Sequence, residues 1–309
     1  MAIIEILGNP AAESSEAQIM RVLAGEWLPA HTVWAGRWLG MAGSSRRPFG
    51  RHPEVRFGWT WQGSRQGDII LVSGPSPELA EVPAGIRVGV PFSGMQRLLR
   101  ERWGIDPHCL RIPIPEVYFA PGDASLVYDA VRTLRLEQRP RLVYAGGYEN
   151  GRRLTAVLGA ARAVLGGRGE LVLVDGLAVR GRLAPVVHHL GMAEQVIFAP
   201  TLSDAMMAGL LHGADAIVAG VGTPKLPLLA HYATAAAVPI VGWQDPMLEQ
   251  WAGGSVLAVH QESAWEPAIA EILENGRLRE RMMERAQRYA AKRHAAVVAV
   301  EWLQAGGVG

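Results

Sequence analysis

The sequence predicts an α/β protein built from two Rossmann-like, doubly wound domains. Its 309 residues suffice for about two domains. Strand-like and helix-like segments alternate along the chain, which indicates parallel sheets with helices on both faces. Prolines and glycines interrupt regular structure between Pro113 and Pro140, which indicates a boundary. We therefore expect domains at residues 1–120 and 121–294, followed by a helix over residues 295–309.

Short apolar runs bounded by Gly, Pro and Asp predict six strands in the first half. Two helices are predicted there, at Glu16–Leu28 and at Gly94–Trp103, the second with Ser93 as its N-cap. The segment Gly40–Pro53 is rich in Gly, Ser, Arg and Pro and predicts a loop. The predicted strands are Ile3–Leu7, Thr32–Ala35, Val55–Trp59, Asp68–Ser73, Ile86–Val90 and Cys109–Pro113.

The second half shows the same alternation more clearly. Its predicted strands are Arg141–Ala145, Glu170–Val174, Gln195–Phe198, Ala216–Ala219, Ile240–Gly242 and Val256–Ala258. Its predicted helices are Ser125–Leu136, Arg152–Leu165, Arg180–Leu190, Ser203–His212, Leu226–Ala236, Met247–Trp251, one long amphipathic helix over Glu266–Lys292, and Ala295–Gln304. In such a domain, ligands bind at the carboxyl ends of the strands.

Composition excludes several classes of protein. The net charge of +1 does not favour a nucleic-acid partner. The single cysteine, Cys109, excludes an intrachain disulfide framework, and no Cys/His spacing predicts a metal site. Apolar stretches such as Ala214–Val221 are too short to span a bilayer, and Met1 leads directly into a strand without a basic leader. We expect a cytoplasmic protein without a transmembrane segment, a metal or a cofactor.

The first candidate ligand loop follows strand Arg141–Ala145. Gly146 and Gly147 would let backbone N–H groups approach an anion, and Arg152 and Arg153 stand where the next helix begins. A purely structural glycine turn remains open as the alternative.

The second candidate loop follows strand Gln195–Phe198. Thr201 lies in it, and Ser203 is placed to cap the following helix. One interpretation is a loop whose backbone recognises a nucleobase, and the other is simple helix capping.

The third candidate loop follows strand Ala216–Ala219. A glycine turn containing Gly222 and Thr223 precedes Lys225 and the helix that begins at Leu226. Free N–H groups, the helix dipole and the ammonium group would all favour a diphosphate. The spacing is not that of a Walker motif. The alternative is a structural turn with a solvated lysine.

No catalytic constellation stands out, and the catalytic residues are unknown at this stage. Ser93 lacks the G-x-S-x-G frame of a nucleophile elbow. His188 and His189 lie on a predicted helix without Cys or Asp at metal-ligand spacing. The first strand is not followed by G-x-G-x-x-G, which disfavours a dinucleotide-binding domain of the NAD type.

An ordered series of motifs in the second half resembles the donor-binding domain of GT-B glycosyltransferases. The resemblance is to family 4-like members, the nucleotide-sugar-dependent family that includes glycogen and sucrose synthases. It covers about Pro140–Arg293, and a weaker match covers Val90–Pro121. The matching segments are Arg141-Leu-Val-Tyr-Ala-Gly-Gly147, Val196-Ile-Phe-Ala-Pro200, Ala214-Asp-Ala-Ile-Val218, Leu226-Pro-Leu-Leu229 and Ala237-Val-Pro-Ile-Val241.

This resemblance implies a GT-B fold, in which two Rossmann-like domains face a cleft and the terminal helix returns to the first domain. It also implies metal-independent hexosyl transfer from a nucleotide-diphosphate sugar. The acceptor would be a small molecule, a glycan, a lipid or a protein, and a homo-oligomer is left open. The implied donor-binding residues are Gly146, Gly147, Arg152, Arg153, Thr201, Gly222, Thr223, Lys225, Leu226 and Tyr232.

The sequence departs from the family at its pair of glutamates. Counting back from Ala237 places them at Pro224 and Tyr232, and neither is acidic. Three functions therefore stay open: an active glycosyltransferase, a catalytically degenerate protein that binds a nucleotide or a partner, or another activity on a nucleotide sugar such as epimerisation. Tyr232 itself would either hydrogen-bond the ribose or be a packed aromatic residue.

Overall fold

The computed structural model describes residues 111–119, 124–148, 151–220 and 226–305. Before residue 111 it describes the segments 3–7, 22–23, 25–26, 32–36, 56–58, 69–72, 87–90, 93–104, 106 and 108–109. The predicted helix Glu16–Leu28 falls mostly outside the described residues, and the predicted loop Gly40–Pro53 falls entirely outside them.

The chain divides into two compact units. The first contains Met1–Pro113 together with Lys292–Gly309, and the second contains Ile114–Ala291.

A parallel sheet of six strands forms the centre of the first unit. Helix α1 (Ser93–Trp103) follows the fifth strand and begins at the serine that was expected to cap it. The strands are β1 (Ile3–Leu7), β2 (Thr32–Gly36), β3 (Arg56–Gly58), β4 (Ile69–Val72), β5 (Arg87–Val90) and β6 (His108–Cys109), in the order β3-β2-β1-β4-β5-β6.

The second unit has its own parallel sheet of six strands. They are β7 (Arg141–Ala145), β8 (Glu170–Leu173), β9 (Val196–Phe198), β10 (Ala216–Ala219), β11 (Ile240–Trp243) and β12 (Val256–Val259). The spatial order is β12-β11-β10-β7-β8-β9, so the chain winds outwards in both directions from the pair β7 and β10. This is a doubly wound sheet, as predicted.

Helices connect these strands and cover the sheet. They are α2 (Ala124–Leu134), α3 (Gly151–Leu165), α4 (Arg180–His189), α5 (Asp204–His212), α6 (Leu226–Ala235), α7 (Pro246–Trp251), α8 (Trp265–Glu274) and α9 (Gly276–Ala290). Helix α3 packs against α8, α2 against α5, and α6 against α7 and α9. No helix among the described residues has both the length and the apolar character of a membrane span.

The core of the second unit covers both faces of its sheet. Every residue of β7 is buried. Leu142 and Tyr144 belong to the cluster that contains the inner sides of α3 and α8, whereas Val143 is buried outside that cluster. This alternation follows from the two-residue period of a strand, and burial on both faces is typical of parallel sheets.

The predicted helix Glu266–Lys292 is two helices, α8 and α9, because the chain turns at Asn275. The backbone of Asn275 leaves the helical region (φ −87°, ψ 89°), and its side-chain oxygen accepts a hydrogen bond from the Leu278 N–H at 3.0 Å. Asn is a preferred N-cap, and Gly276 follows it. The uninterrupted amphipathic pattern had concealed this break.

A buried ion pair ties together the amino ends of β7 and β8. Arg141 and Glu170 are 5% and 3% exposed, and Arg141 Nε lies 2.5 Å from Glu170 Oε1. The Arg141 guanidinium also donates to the Gly213 carbonyl at 3.0 Å, and Glu170 accepts from the Glu137 N–H at 3.0 Å. These further hydrogen bonds satisfy the buried charges. This end of the sheet is therefore structural.

The terminal helix α10 (Ala295–Ala305) belongs to the first unit and contacts β5. The Trp302 indole is fully buried and donates to the Arg111 carbonyl at 2.8 Å. Arg111 also lies 3.3 Å from the Glu301 carboxylate. A buried ring, a hydrogen bond and an ion pair thus anchor α10.

Candidate functional site

Strands β7 and β10 meet at the point where the strand order of the second unit reverses. From β7 the chain passes through α3 to β8 on one side, and from β10 it passes through α6 to β11 on the other. Diverging connections leave a crevice at the carboxyl ends of such a strand pair, and open α/β sheets bind ligands there. Gly146 and Gly220 are the first residues after these two strands.

The two glycines bring the loop backbones into close contact. The Gly220 N–H donates to the Ala145 carbonyl at 2.7 Å. A Cβ atom on Gly146 would lie 2.8 Å from the Gly220 Cα, closer than real Cβ atoms approach other atoms. Both positions therefore require glycine for space, and neither of these two residues places a side chain at this edge.

Tyr144 supports this edge from below. Its side chain rises from β7, and its hydroxyl donates to the Gly147 carbonyl at 3.1 Å. A Cβ on Gly146 would also lie 2.6 Å from that hydroxyl oxygen. Burial raises the pKa of Tyr144 to about 12, so the hydroxyl stays a neutral donor at neutral pH. The ring thus fixes the glycine loop in one position.

Tyr148 joins the same loop to the end of β8. Its hydroxyl donates to the Val174 carbonyl, and Arg182 donates to the Tyr148 carbonyl. Burial, followed by the neighbouring Tyr144 and Asp175, raises the Tyr148 pKa well above its ordinary value. The loop after β7 is therefore held by hydrogen bonds from three side chains and is not a free turn.

Helix α3 begins at Gly151, directly after this loop, and Arg153 lies in its first turn. Arg153 is exposed, and its guanidinium carbon lies 5.2 Å from the ring centroid of Trp243 at the end of β11. A helix amino end carries a partial positive charge, and the arginine adds a full one. The side chain of Arg152 lies outside the described residues.

The loop after β9 is organised around the start of α5. Ser203 caps this helix, as predicted, and its hydroxyl accepts from the Met206 N–H at 3.3 Å. Asp204 in the first turn accepts a hydrogen bond from the Tyr118 hydroxyl at 3.0 Å. Thr201 is exposed. Its contact with a nucleobase stays a prediction.

The loop after β10 is only partly described. Gly220 is placed, but Gly222, Thr223 and Lys225 lie outside the described residues, as does the side chain of Leu226. Their roles in binding a diphosphate therefore stay predictions from the sequence. The structure does place Gly220, the first residue after β10, beside Gly146.

Tyr232 is packed in the interior of the second unit. Only 2% of it is exposed, and its ring stacks on Tyr118 with centroids 4.3 Å apart and planes at 25°. The preceding His231 is fully buried and meets the rings of Trp251 and Tyr289 edge-on. Of the two interpretations left open for Tyr232, a packed aromatic residue describes the position that it occupies.

Two residues of this edge were not among the predicted site residues. Tyr144 and Trp243 both lie in strands, where an aromatic residue normally indicates only core packing. A tyrosine two positions before a glycine turn is the one signal that the sequence offers for Tyr144. Among the described residues, no group of three or more His, Cys, Asp or Glu side chains is placed to hold a metal ion.

No protein-family model matches the sequence, and no curated protein does either. Solved structures match the fold over almost the whole chain. WaaG, a glycosyltransferase involved in lipopolysaccharide biosynthesis, has a TM-score of 0.67 at 11% identity over 100% of both chains. HepE from Anabaena, in complex with UDP-glucose, has 0.69 at 11% identity over 98% of both. Sucrose-phosphate synthase from Thermosynechococcus elongatus has 0.65 at 14% identity over 98% of both.

These similarities establish the fold. The chain shares the GT-B fold of these structures, and the fold class predicted from the sequence is confirmed.

Proposed function

We propose that this protein is a glycosyltransferase that takes its sugar from a nucleotide-diphosphate donor. The observation that carries the proposal is the contact between the Gly146 and Gly220 loops at the switch point of the second sheet. Glycine backbone beside a helix amino end suits an anion, because backbone N–H groups and the helix dipole both favour negative charge there. The donor diphosphate would lie there.

Positive charge near this point would stabilise the leaving diphosphate. When the bond between the sugar and the diphosphate of the donor breaks, negative charge grows on the departing phosphate oxygens. Arg153 in the first turn of α3 and Lys225 before α6 would hold that charge, together with the amino end of α3. These groups can act without a metal ion, so we expect turnover to persist in the presence of EDTA.

The similar structures support the nucleotide sugar as substrate. HepE has been solved with UDP and with UDP-glucose, and it has the same fold. For this chain we propose the class of donor and leave its sugar, its base and its acceptor to experiment. The acceptor is a small molecule, a glycan, a lipid or a protein.

A second candidate function is binding without sugar transfer. Position 232, where the counted register places a ribose-binding glutamate, holds a tyrosine that is 2% exposed and stacked on Tyr118. Position 224 holds a proline. The protein would then bind a nucleotide or a partner through the same edge of the sheet.

Two assays separate these functions. A thermal-shift panel of UDP-, GDP-, ADP- and TDP-sugars identifies a ligand that binds the native state, since such a ligand raises the melting temperature. The sugar that gives the largest shift is then incubated with the protein, with and without acceptor extracts. Release of the nucleoside diphosphate supports transfer. A thermal shift without release under any condition supports nucleotide binding without transfer. No shift with any donor contradicts both transfer and nucleotide binding, and leaves only the binding of a partner.

A further inference from the structure

Arg153 and Trp243 are in contact near the carboxyl ends of β7 and β11, two strands that are separated by β10 in the sheet. Arg153 belongs to the helix that follows β7, and Trp243 is the last residue of β11, on the far side of β10. The guanidinium carbon lies 5.2 Å from the indole centroid. Cation–π attraction is effective at this distance, and tryptophan is the best of the aromatic partners.

The Trp243 ring is itself fixed by the core. Trp265, at the start of α8, is fully buried and meets Trp243 at 5.7 Å with the ring planes at 90°. Edge-to-face packing at this distance is favourable for two aromatic rings. The surface on which Arg153 rests is therefore rigid.

Core packing alone does not explain why position 243 holds a tryptophan, because the buried indole nitrogen destabilises the folded protein. Its indole nitrogen is buried, and within the described part of the chain no hydrogen-bond acceptor meets it. An unsatisfied buried donor destabilises a protein, whereas phenylalanine would fill an apolar site without one. What tryptophan adds over phenylalanine is a larger and more electron-rich face, and that face lies under a cation.

This arrangement would prepare Arg153 for a diphosphate. A long, exposed arginine loses side-chain entropy when it binds an anion, and prior ordering reduces that loss. The contact with Trp243 holds the guanidinium near the end of β11, and the planar fork of arginine N–H donors matches the geometry of phosphate oxygens.

We propose that Trp243 is a positioning residue that holds the Arg153 guanidinium in the orientation in which it binds the donor diphosphate. The inference rests on the proposed function, since it assumes that a nucleotide diphosphate binds at this edge. It assigns to Trp243 no contact with the nucleotide. Its effect passes through Arg153 alone, which makes the two side chains energetically coupled.

A double-mutant cycle tests this coupling. UDP, GDP and ADP are titrated into the wild-type protein, and the tightest is compared with its nucleoside in Trp243→Leu, Arg153→Ala and the double variant. We expect Trp243→Leu to weaken the diphosphate about two- to fivefold, the range of an exposed cation–π contact, and to leave the nucleoside unchanged. In the Arg153→Ala background, Trp243→Leu should cause no further loss.

Trp243→Phe and Arg162→Ala complete the test. Phenylalanine keeps a smaller ring, so its diphosphate affinity should fall between those of the wild type and Trp243→Leu. It replaces the leucine variant in the cycle if that variant does not fold. Arg162 is exposed in the last turn of α3 and serves as the control, which should bind like the wild type.

Three results would overturn the inference. Equal losses for diphosphate and nucleoside would make Trp243 merely structural. Additive losses in the double variant would deny the coupling, and an unchanged Arg153→Ala would remove the arginine from the site. In each of these cases the wild type still binds, so the proposed function stands. A wild type that binds none of the three diphosphates overturns the proposed function and this inference together.

Discussion

Gly146 and Gly220 approach each other so closely that a Cβ on the first would lie 2.8 Å from the Cα of the second. The two residues follow β7 and β10, the strands between which the second sheet changes direction. The same residue type at both positions keeps side chains away from the point where such sheets bind ligands. Tyr144 closes the space beneath them and hydrogen-bonds Gly147.

Gly146→Ala should disturb this contact and reduce binding of a nucleoside diphosphate. The added methyl group collides with the Gly220 backbone and the Tyr144 ring, neither of which can yield freely. Overpacking of this kind destabilises a protein by about 1–3 kcal/mol. Urea unfolding measures the stability, and calorimetric titration measures the affinity, which we expect to fall at least about tenfold.

Gly159→Ala is the matched control for this substitution. Gly159 lies within α3, and a Cβ there would meet no atom within 4 Å. Alanine in a helix interior is favoured over glycine by about 1 kcal/mol, so this variant should be as stable as the wild type or more so. If Gly146→Ala retained both wild-type stability and affinity, the contact between Gly146 and Gly220 would be unnecessary for folding and for nucleotide binding.

Lys225→Ala should weaken diphosphate-containing ligands more than the matching nucleosides. Lys225 and Lys292 are the only lysines, and Lys225 stands at a glycine turn before α6. Loss of one charge-assisted contact should reduce affinity by about 1.5–3 kcal/mol. Lys292→Ala serves as the control and should bind normally. Equal affinity of the wild type and Lys225→Ala for a nucleoside diphosphate would exclude the lysine from the site.

Tyr232→Glu should destabilise the protein without improving nucleotide binding. The substitution removes a ring that is stacked at 4.3 Å on Tyr118 and places a carboxylate where only 2% of the side chain was exposed. Loss of a buried aromatic side chain costs about 3–5 kcal/mol, and burial of the charge adds to that loss. Melting temperature and nucleoside-diphosphate affinity are measured on the same sample.

Tyr128→Glu is the control, because Tyr128 is 61% exposed on α2 and its replacement should leave the melting temperature unchanged. Tighter nucleotide binding by a stable Tyr232→Glu protein would contradict the packed role and restore a ribose contact at this position.

His212 should make the stability of the second unit depend on pH. Burial lowers its pKa below the ordinary 6.5, although a hydrogen bond with the Tyr118 backbone acts in the opposite direction. Its Nε2 atom is buried, and no described group hydrogen-bonds it. The stabilisation is present above about pH 6.5 and is lost as pH falls towards the lowered pKa, because the unfolded chain then binds the proton more readily.

The measurement is the melting temperature of the wild type and of His212→Gln between about pH 8 and pH 5. Other titrating groups affect both proteins alike, so the difference between the two curves isolates His212. We expect the melting temperature of the wild type to fall relative to that of His212→Gln below about pH 6.5. A difference in melting temperature that stays constant over the whole pH range would contradict the assignment of this pH dependence to His212.

The strands of the second unit could be predicted because each is a short apolar run that ends in a turn. Arg141–Ala145 and Ala216–Ala219 were predicted with their observed bounds. The helix break at Asn275 was missed, because an Asn-Gly pair within an amphipathic pattern does not interrupt its period. Periodicity reports which face is buried, and capping decides where a helix ends.

The candidate site was less predictable, because it depends on which strand ends become neighbours. Gly146 was identified from its loop, but its contact with Gly220 requires the strand order of the sheet. The cation–π contact of Arg153 with Trp243 joins residues that are far apart in the sequence. Tyr232 was placed at a ligand-binding position by counting residues. Such a count cannot tell whether a side chain faces a ligand or the core.

A crystal structure with the tightest-binding nucleoside diphosphate would show directly where the donor binds. We expect the diphosphate at the carboxyl ends of β7 and β10, within hydrogen-bond distance of the Gly146 and Gly147 backbone N–H groups and of Arg153. Diphosphate bound elsewhere on the protein, with these groups unoccupied, would contradict it.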